Sequence, residues 1–322
     1  MARFAWAAAS SCRYGRRAGI RRVACTDFNQ SPSGAALGAL FITKKKEETV
    51  VDVTMVICLL VLGGVVGFAA GLLGIGGGML LVPFLTMLFA WKGMPADLVV
   101  HAAIATSMTS ILFTSISSVR AHQQRGTIKW NIVWAMAPGI IIGGLLSGGA
   151  VFAALSTLWL SLFFALFVGY SGWSMLQNKK PKPSRQMPGV VGTSAAGAGI
   201  GFLSGLVGAG GGFLSVPFMV WCNVALHNAV STSAALGFPI ALANSVGYVV
   251  SGLNSGETRP GMLGYIYWPA LIALVCTSVL TAPLGARMAH RLPVQTLKRV
   301  FACLLFALAA YMLFKAWQTF NA

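Results

Sequence analysis

Acidic residues are almost missing from this sequence: 6 Asp and Glu in 322 residues, against 23 Lys and Arg. Charged residues of both signs make up only 9% of the chain, where a soluble domain carries roughly 25%. So few charges cannot cover the surface of a soluble fold of this length, which excludes a cytosolic enzyme. The cysteines Cys12, Cys25, Cys58, Cys222, Cys276 and Cys303 form no CxxC pair and have no histidine at zinc spacing. Neither a disulfide framework nor a metal site is expected from them. No acid falls inside an apolar run, which removes the usual intramembrane proton relay. With 4 scattered histidines, the nucleophile–base pair or ligand set of an embedded enzyme is missing too. Neither glycine cluster is followed by Gly-Lys-Ser/Thr, so there is no nucleotide-phosphate loop. The expectation is a protein without cofactor or enzymatic activity.

What is present is apolar. Hydrophobic residues make up 57% of the chain, in runs near 53–73, 77–91, 98–119, 132–153, 157–177, 188–208, 211–226, 230–252, 264–286 and 298–318. About 20 apolar residues span a bilayer core as a helix, and unpaired backbone is not tolerated in lipid. The pattern therefore predicts an all-α polytopic membrane protein of about 8–10 spans, the second and seventh runs being short. The formal charge of +17 sits in short loops, where it is an orientation signal and not a nucleic-acid footprint. With ten crossings and an external amino end, the loops holding Arg120, Arg125 and Lys129, Lys179 to Arg185, and Arg287 to Arg299 would all be cytoplasmic. Residues 1–52 are set apart by Arg3, Arg13, Arg16, Arg17, Arg21 and Arg22. They are expected to be a disordered or spuriously assigned basic tail, with an organelle transit peptide as the alternative.

The chain repeats itself. Residues 67–84 read GFAAGLLGIGGGMLLVPF and residues 201–218 read GFLSGLVGAGGGFLSVPF, identical at 12 of 18 positions. The match resumes at His101-Ala-Ala-Ile-Ala-Thr106-Ser107 and His227-Asn-Ala-Val-Ser-Thr232-Ser233. A tandem duplication follows: a first repeat over 53–177, a basic linker over 178–187 and a second repeat over 188–322. Five crossings per half would set the second copy upside down, and four would leave the copies parallel; the sequence leaves both open. Doubled bundles with glycine-interrupted segments at matching places mark secondary transporters.

Gly63, Gly67 and Gly71, and Gly197, Gly201 and Gly205, recur every four residues, which puts each set on one helix face for close packing. The clusters Gly76-Gly77-Gly78 and Gly210-Gly211-Gly212 are denser than packing requires, and each glycine costs about 1 kcal/mol in a helix interior. With Pro83 and Pro217 downstream as helix-breaking residues, they suggest a helix that unwinds and restarts in each half. A restarted helix offers free N–H groups and a positive dipole end, which suit an anion. A tight turn between two ordinary helices is the plainer alternative. Thr106, Ser107, Thr232, Ser233 and Asn244 could add neutral donors, or bond back to their own helices. His101 and His227 could couple proton movement, or be solvated polar caps.

The paired motif G-F-x-x-G-L-x-G-x-G-G-G-x-L-x-V-P-F, each copy followed by His-x-A-x-x-Thr-Ser, resembles the TauE/SafE sulfite exporter family of membrane transporters. The stretch Arg120-Ala-His-Gln-Gln-Arg-Gly-Thr-Ile128 is similar to an inter-helix loop of that family. The likeness covers about residues 55–320. It implies a multi-pass protein of the bacterial inner membrane that moves small anions such as sulfite or organosulfonates. The expected function is a secondary transporter exporting such an anion by alternating access. A passive anion channel, or a membrane-embedded assembly factor, is the alternative. The expected partners are the anion and the lipid bilayer, not nucleic acid; oligomeric state, coupling ion and direction stay open.

Overall fold

The computed structural model describes residues 53–73, 77–177, 186–256, 259–288 and 294–320. The tail over 1–52, most of the basic linker, and Gly76 lie outside these residues. Ten helices follow in chain order: α1 (Val53–Leu73), α2 (Gly78–Trp91), α3 (Ala96–Gln123), α4 (Trp130–Leu146), α5 (Thr157–Gln177), α6 (Val190–Val207), α7 (Gly212–Trp221), α8 (Leu226–Asn254), α9 (Trp268–Met288) and α10 (Val294–Phe320). A kinked turn, Ser147–Val151, and a short piece, Phe152–Ala154, prolong α4. A small antiparallel hairpin, β1 (Met262–Leu263) with β2 (Ile266–Tyr267), precedes α9.

Eight of these helices are long and apolar enough to cross a membrane; α2 and α7 are shorter, with 14 and 10 residues. At 1.5 Å per residue they reach about 21 and 15 Å, less than the roughly 30 Å hydrocarbon core. This is an all-α polytopic membrane protein.

Side-chain registers give six of these helices a direction. Gly63, Gly67 and Gly71 of α1 lie against Leu274, Ser278 and Ala282 of α9, so these two helices run the same way. Thr106 is bonded to Tyr267, and Ser117 to Val279, so α3 runs with α9 as well. Gly197 and Gly201 of α6 lie on Met136 and Ile140 of α4, while Gly144 and Gly148 of α4 lie on Asn244, and Gly247 on Gly148, so α4, α6 and α8 share a direction. The two sets oppose each other: on α3 and α8, Thr109 pairs with Ser245 at 3.0 Å while Ser115 faces Gly237. Since α1 and α3 point alike, α2 must carry the chain back between them, and α7 does the same between α6 and α8. Thus α6 runs opposite to α1, α8 opposite to α3 and α9 opposite to α4.

The glycine stripes make this packing possible, because a methyl group at Gly67, Gly71, Gly139, Gly143, Gly197 or Gly201 would collide with backbone of the partner helix. The inner pair is α3 and α8. Of their most apolar windows 83% and 67% is buried, against 33% for α1, so α1 faces lipid while α3 and α8 face protein. That position permits α3 to carry Thr106, Ser107, Thr109, Ser110, Thr114 and Ser115, all buried. Several return a hydrogen bond to a carbonyl three or four residues back, as Thr109 does to Ala105 at 2.8 Å. Trp130, Trp134, Trp159, Trp173, Trp221, Trp268 and Trp317 are exposed, as residues of an interfacial belt would be.

Candidate functional site

Each glycine cluster leads into a helix start of the same form. Gly77 caps α2 with φ 67° and ψ −13°, and Gly211 caps α7 with φ 74° and ψ −9°. This left-handed conformation disfavours any side chain. Leu80 and Leu81 donate to the Gly77 carbonyl, and Leu214 and Ser215 to that of Gly211, which starts each helix abruptly. No side chain caps either start. First-turn N–H groups have no acceptor within their own helix, so Gly78 and Met79, and Gly212 and Phe213, present donors at a positive dipole end.

Pro83 and Pro217 are corrected by the structure: neither is the break. Each is the sixth residue of its helix, α2 or α7, which continues through it. Proline removes one intrahelical donor without forbidding the helical φ, whereas the positive φ at Gly77 and Gly211 cannot belong to a right-handed helix.

The two breaks touch. Gly78 lies against the Gly208 carbonyl and the Ala209 backbone, and the Ser107 hydroxyl reaches the carbonyls of Gly78 and Gly208, 3.4 Å from each. Beside this junction runs a narrow cleft whose polar lining includes Thr114, Ser115, Ser118 and Ser233, with Gly71 and Gly210. It borders the second break at Gly210 and reaches the end of α1 at Gly71, where the first break begins. Ser233 is tied to α7, accepting a hydrogen bond from Ser215 at 2.8 Å. No charged side chain lines the cleft. An ion held there would meet helix dipoles and neutral hydroxyls.

The remaining candidates are distributed differently. The Thr106 hydroxyl accepts the Tyr267 N–H, and that of Thr232 accepts the Lys129 N–H, at 3.0 Å each. Both threonines thus anchor the residue that precedes a helix, α9 or α4. Asn244 is fully buried on α8, with its amide nitrogen on the carbonyls of Ile240 (2.8 Å) and Gly201 (3.4 Å). His101 is buried, its two ring nitrogens 3.1 Å from the Asp97 carbonyl and 3.0 Å from that of Leu155. His227, its sequence match, is exposed. The structure therefore gathers Gly77, Gly78, Ser107, Gly210, Gly211, Gly212 and Ser233 around the breaks, and leaves Thr106, Thr232, Asn244 and the histidines outside that group.

Sequence reasoning missed the aromatic plug around His101, where Phe152, Tyr248 and Tyr265 stack at centroid distances of 4.4 to 5.6 Å. A signal existed: Gly126-Thr-Ile-Lys-Trp130 and Gly264-Tyr-Ile-Tyr-Trp268 share Gly-x-Ile-x-Trp, and both glycines have positive φ. Among the described residues, no three His, Cys, Asp or Glu side chains converge as a metal site would need.

Comparison with known proteins gives a family model, described as sulfite exporter TauE/SafE, that matches residues 58–312. A probable membrane transporter protein of Haemophilus influenzae is 33% identical over 261 residues, 81% of this chain and 98% of that protein. Probable membrane transporter proteins of Methanocaldococcus jannaschii and Bacillus subtilis are each 26% identical, over 79% and 80% of this chain and 94% and 97% of theirs. No solved structure matches.

Proposed function

The chain belongs to the TauE/SafE sulfite exporter family and is a multi-pass membrane transporter, and from that premise we propose that it exports a small anion, such as sulfite or an organosulfonate, across the inner cell membrane by alternating access. The observation that carries this reading is the meeting of the uncapped start of α2 with the end of α6 at Ser107, beside a hydroxyl-lined cleft that borders Gly210 just before the uncapped start of α7. Backbone N–H groups at a helix start are suited to oxyanions, and placing them within protein avoids their desolvation cost against lipid. An uncharged site fits a cycle that must also release its ion, since a fixed cation at this depth would hold the anion more strongly.

The halves 53–177 and 188–322 are read as two copies of one unit. The opposed directions of α3 and α8, and the exchange by which α1 packs on α9 and α6 on α4, support an inverted pair. In such a pair, rocking of one half against the other exposes a site between them to each side in turn. With no nucleotide-phosphate loop in the sequence, the driving force is an ion gradient or the anion's own gradient.

Flux of radiolabelled sulfite from proteoliposomes tests this. Saturable flux with counter-transport, reduced in Ser107→Ala and Ser233→Ala protein that still folds, is the expected outcome. Single-channel conductance in its place would make the protein a pore. Saturable flux unchanged in both variants would remove the site assignment.

A further inference from the structure

A second polar site lies one turn before the end of α6. Asn244 and Ser147 are both fully buried, and the Asn244 side-chain oxygen and the Ser147 hydroxyl have no hydrogen-bond partner among the described residues. They converge: a Cβ on Gly205 would collide with both oxygens, so the absence of a side chain there keeps the two facing each other. The orientation of the amide is fixed by chemistry. Its nitrogen lies on two carbonyls, Ile240 at 2.8 Å and Gly201 at 3.4 Å. A flipped amide would set oxygen against oxygen at both. The atom turned toward Ser147 is therefore an acceptor only.

The backbone around this pair is irregular. Ser147 opens a kink, Ser147–Val151, within which Gly149 has the non-helical angles φ −83° and ψ −110°. Gly148 lies directly on Asn244, and the Tyr248 hydroxyl is already engaged with the Gly205 carbonyl. An unsatisfied buried polar group destabilises the fold, and here two occur together.

The geometry points to a monovalent cation site, of Na⁺ chemistry, held by Asn244 Oδ1 and Ser147 Oγ at the C-terminal end of α6. An anion is repelled by an acceptor-only oxygen. A hard divalent cation takes carboxylate ligands, and none of the pair carries one. Neutral oxygens suit a singly charged ion. Two residues beyond Gly205 the helix ends at Val207, so its negative dipole end is close by. Half-helix ends of this kind hold coupling cations in secondary transporters. Gly208, the next residue, shares the Ser107 hydroxyl with Gly78, so an ion ordering the end of α6 also orders the junction of the two breaks. The coupling role rests on the anion-transport reading above; the cation site itself does not.

The test measures ion binding without any transported anion. The purified full-length protein is melted in detergent in NaCl, LiCl, KCl or choline chloride at one ionic strength. Binding to the folded state alone raises the melting temperature with ion concentration. The expected result is a saturable rise with Na⁺ that choline does not give. In Ser147→Ala and Asn244→Ala the half-saturating Na⁺ concentration rises by at least about ten-fold, the scale of losing even an outer partner of a metal site. If Asn244→Ala does not fold, Ser147→Ala alone decides. A wild-type protein indifferent to all alkali cations would mean the oxygens bind an internal water only, and would overturn the proposal. An unchanged Na⁺ response in the variants would overturn it as well. Sulfite flux lost while Na⁺ stabilisation persists would count against the anion reading and not against this site.

Discussion

Gly78, the first residue of α2, lies so close to the carbonyl of Gly208 that no side chain fits between them; a Cβ would also come within 3.1 Å of the Ala209 Cα. The start of one broken helix is thus seated on the end of another from the opposite half of the chain. Gly78→Ala must move backbone and not a flexible side chain. It should destabilise the protein by about 1–3 kcal/mol, as overpacking does. Gly199→Ala, with nothing within 4 Å of its added methyl, should leave the melting temperature unchanged or raise it. Thermal unfolding of the two variants in detergent checks the contrast.

Much of this arrangement was legible in the sequence, and the reason is chemical. Apolar runs report helices of membrane-spanning length, and a run of glycines is costly enough in a helix that it marks a break. The matched copies of the motif pointed to both breaks at once. Helix directions were not legible, because they depend on whether the short runs α2 and α7 carry the chain back, which is a matter of packing. Hydroxyl roles were hidden for a similar reason. Thr106 and Ser107 are neighbours on one helix, yet one turns toward Tyr267 and the other toward the glycine junction. Ser147 gave no signal at all, since a lone serine among glycines looks like ordinary small-residue packing.

The divided roles of these neighbours can be measured. Thr106→Val leaves the Tyr267 N–H without its acceptor, a buried loss of about 1–3 kcal/mol, and should lower the melting temperature while leaving the apparent KM for the transported anion unchanged. Ser233→Ala, at the wall of the cleft, should raise KM with a smaller effect on melting. Parallel melting and flux measurements on the two proteins separate an anchor from a site residue.

Gly77 and Gly211 hold the left-handed conformation that starts α2 and α7. Alanine at either position should cost about 1–2 kcal/mol from the backbone alone. At Gly211 it also meets the Ile240 side chain. Asparagine tolerates this conformation better than alanine does. Gly211→Asn should therefore retain more fold than a branched residue such as Gly211→Val, as tryptic digestion of membranes would report.

The matched histidines should behave differently despite their shared motif. His101 joins the start of α3 to the end of the α4 segment through the Asp97 and Leu155 carbonyls. His101→Ala should destabilise by about 1–3 kcal/mol, the cost of unpaired buried groups. His227 is exposed, and His227→Ala should cost less than His101→Ala. If proton movement is coupled through His101, the pH profile of flux changes in a folded His101→Gln protein and not in His227→Gln.

The most direct measurement is the position of a bound oxyanion. Selenite, carrying a strong anomalous scatterer, can be soaked into crystals of the full-length protein. The expected result is a peak within hydrogen-bond reach of the first turn of α7, beside Gly210 and Ser233. Selenite found only on basic loops, with the glycine junction closed and dry, would contradict the reading of paired helix starts as the seat of the transported anion.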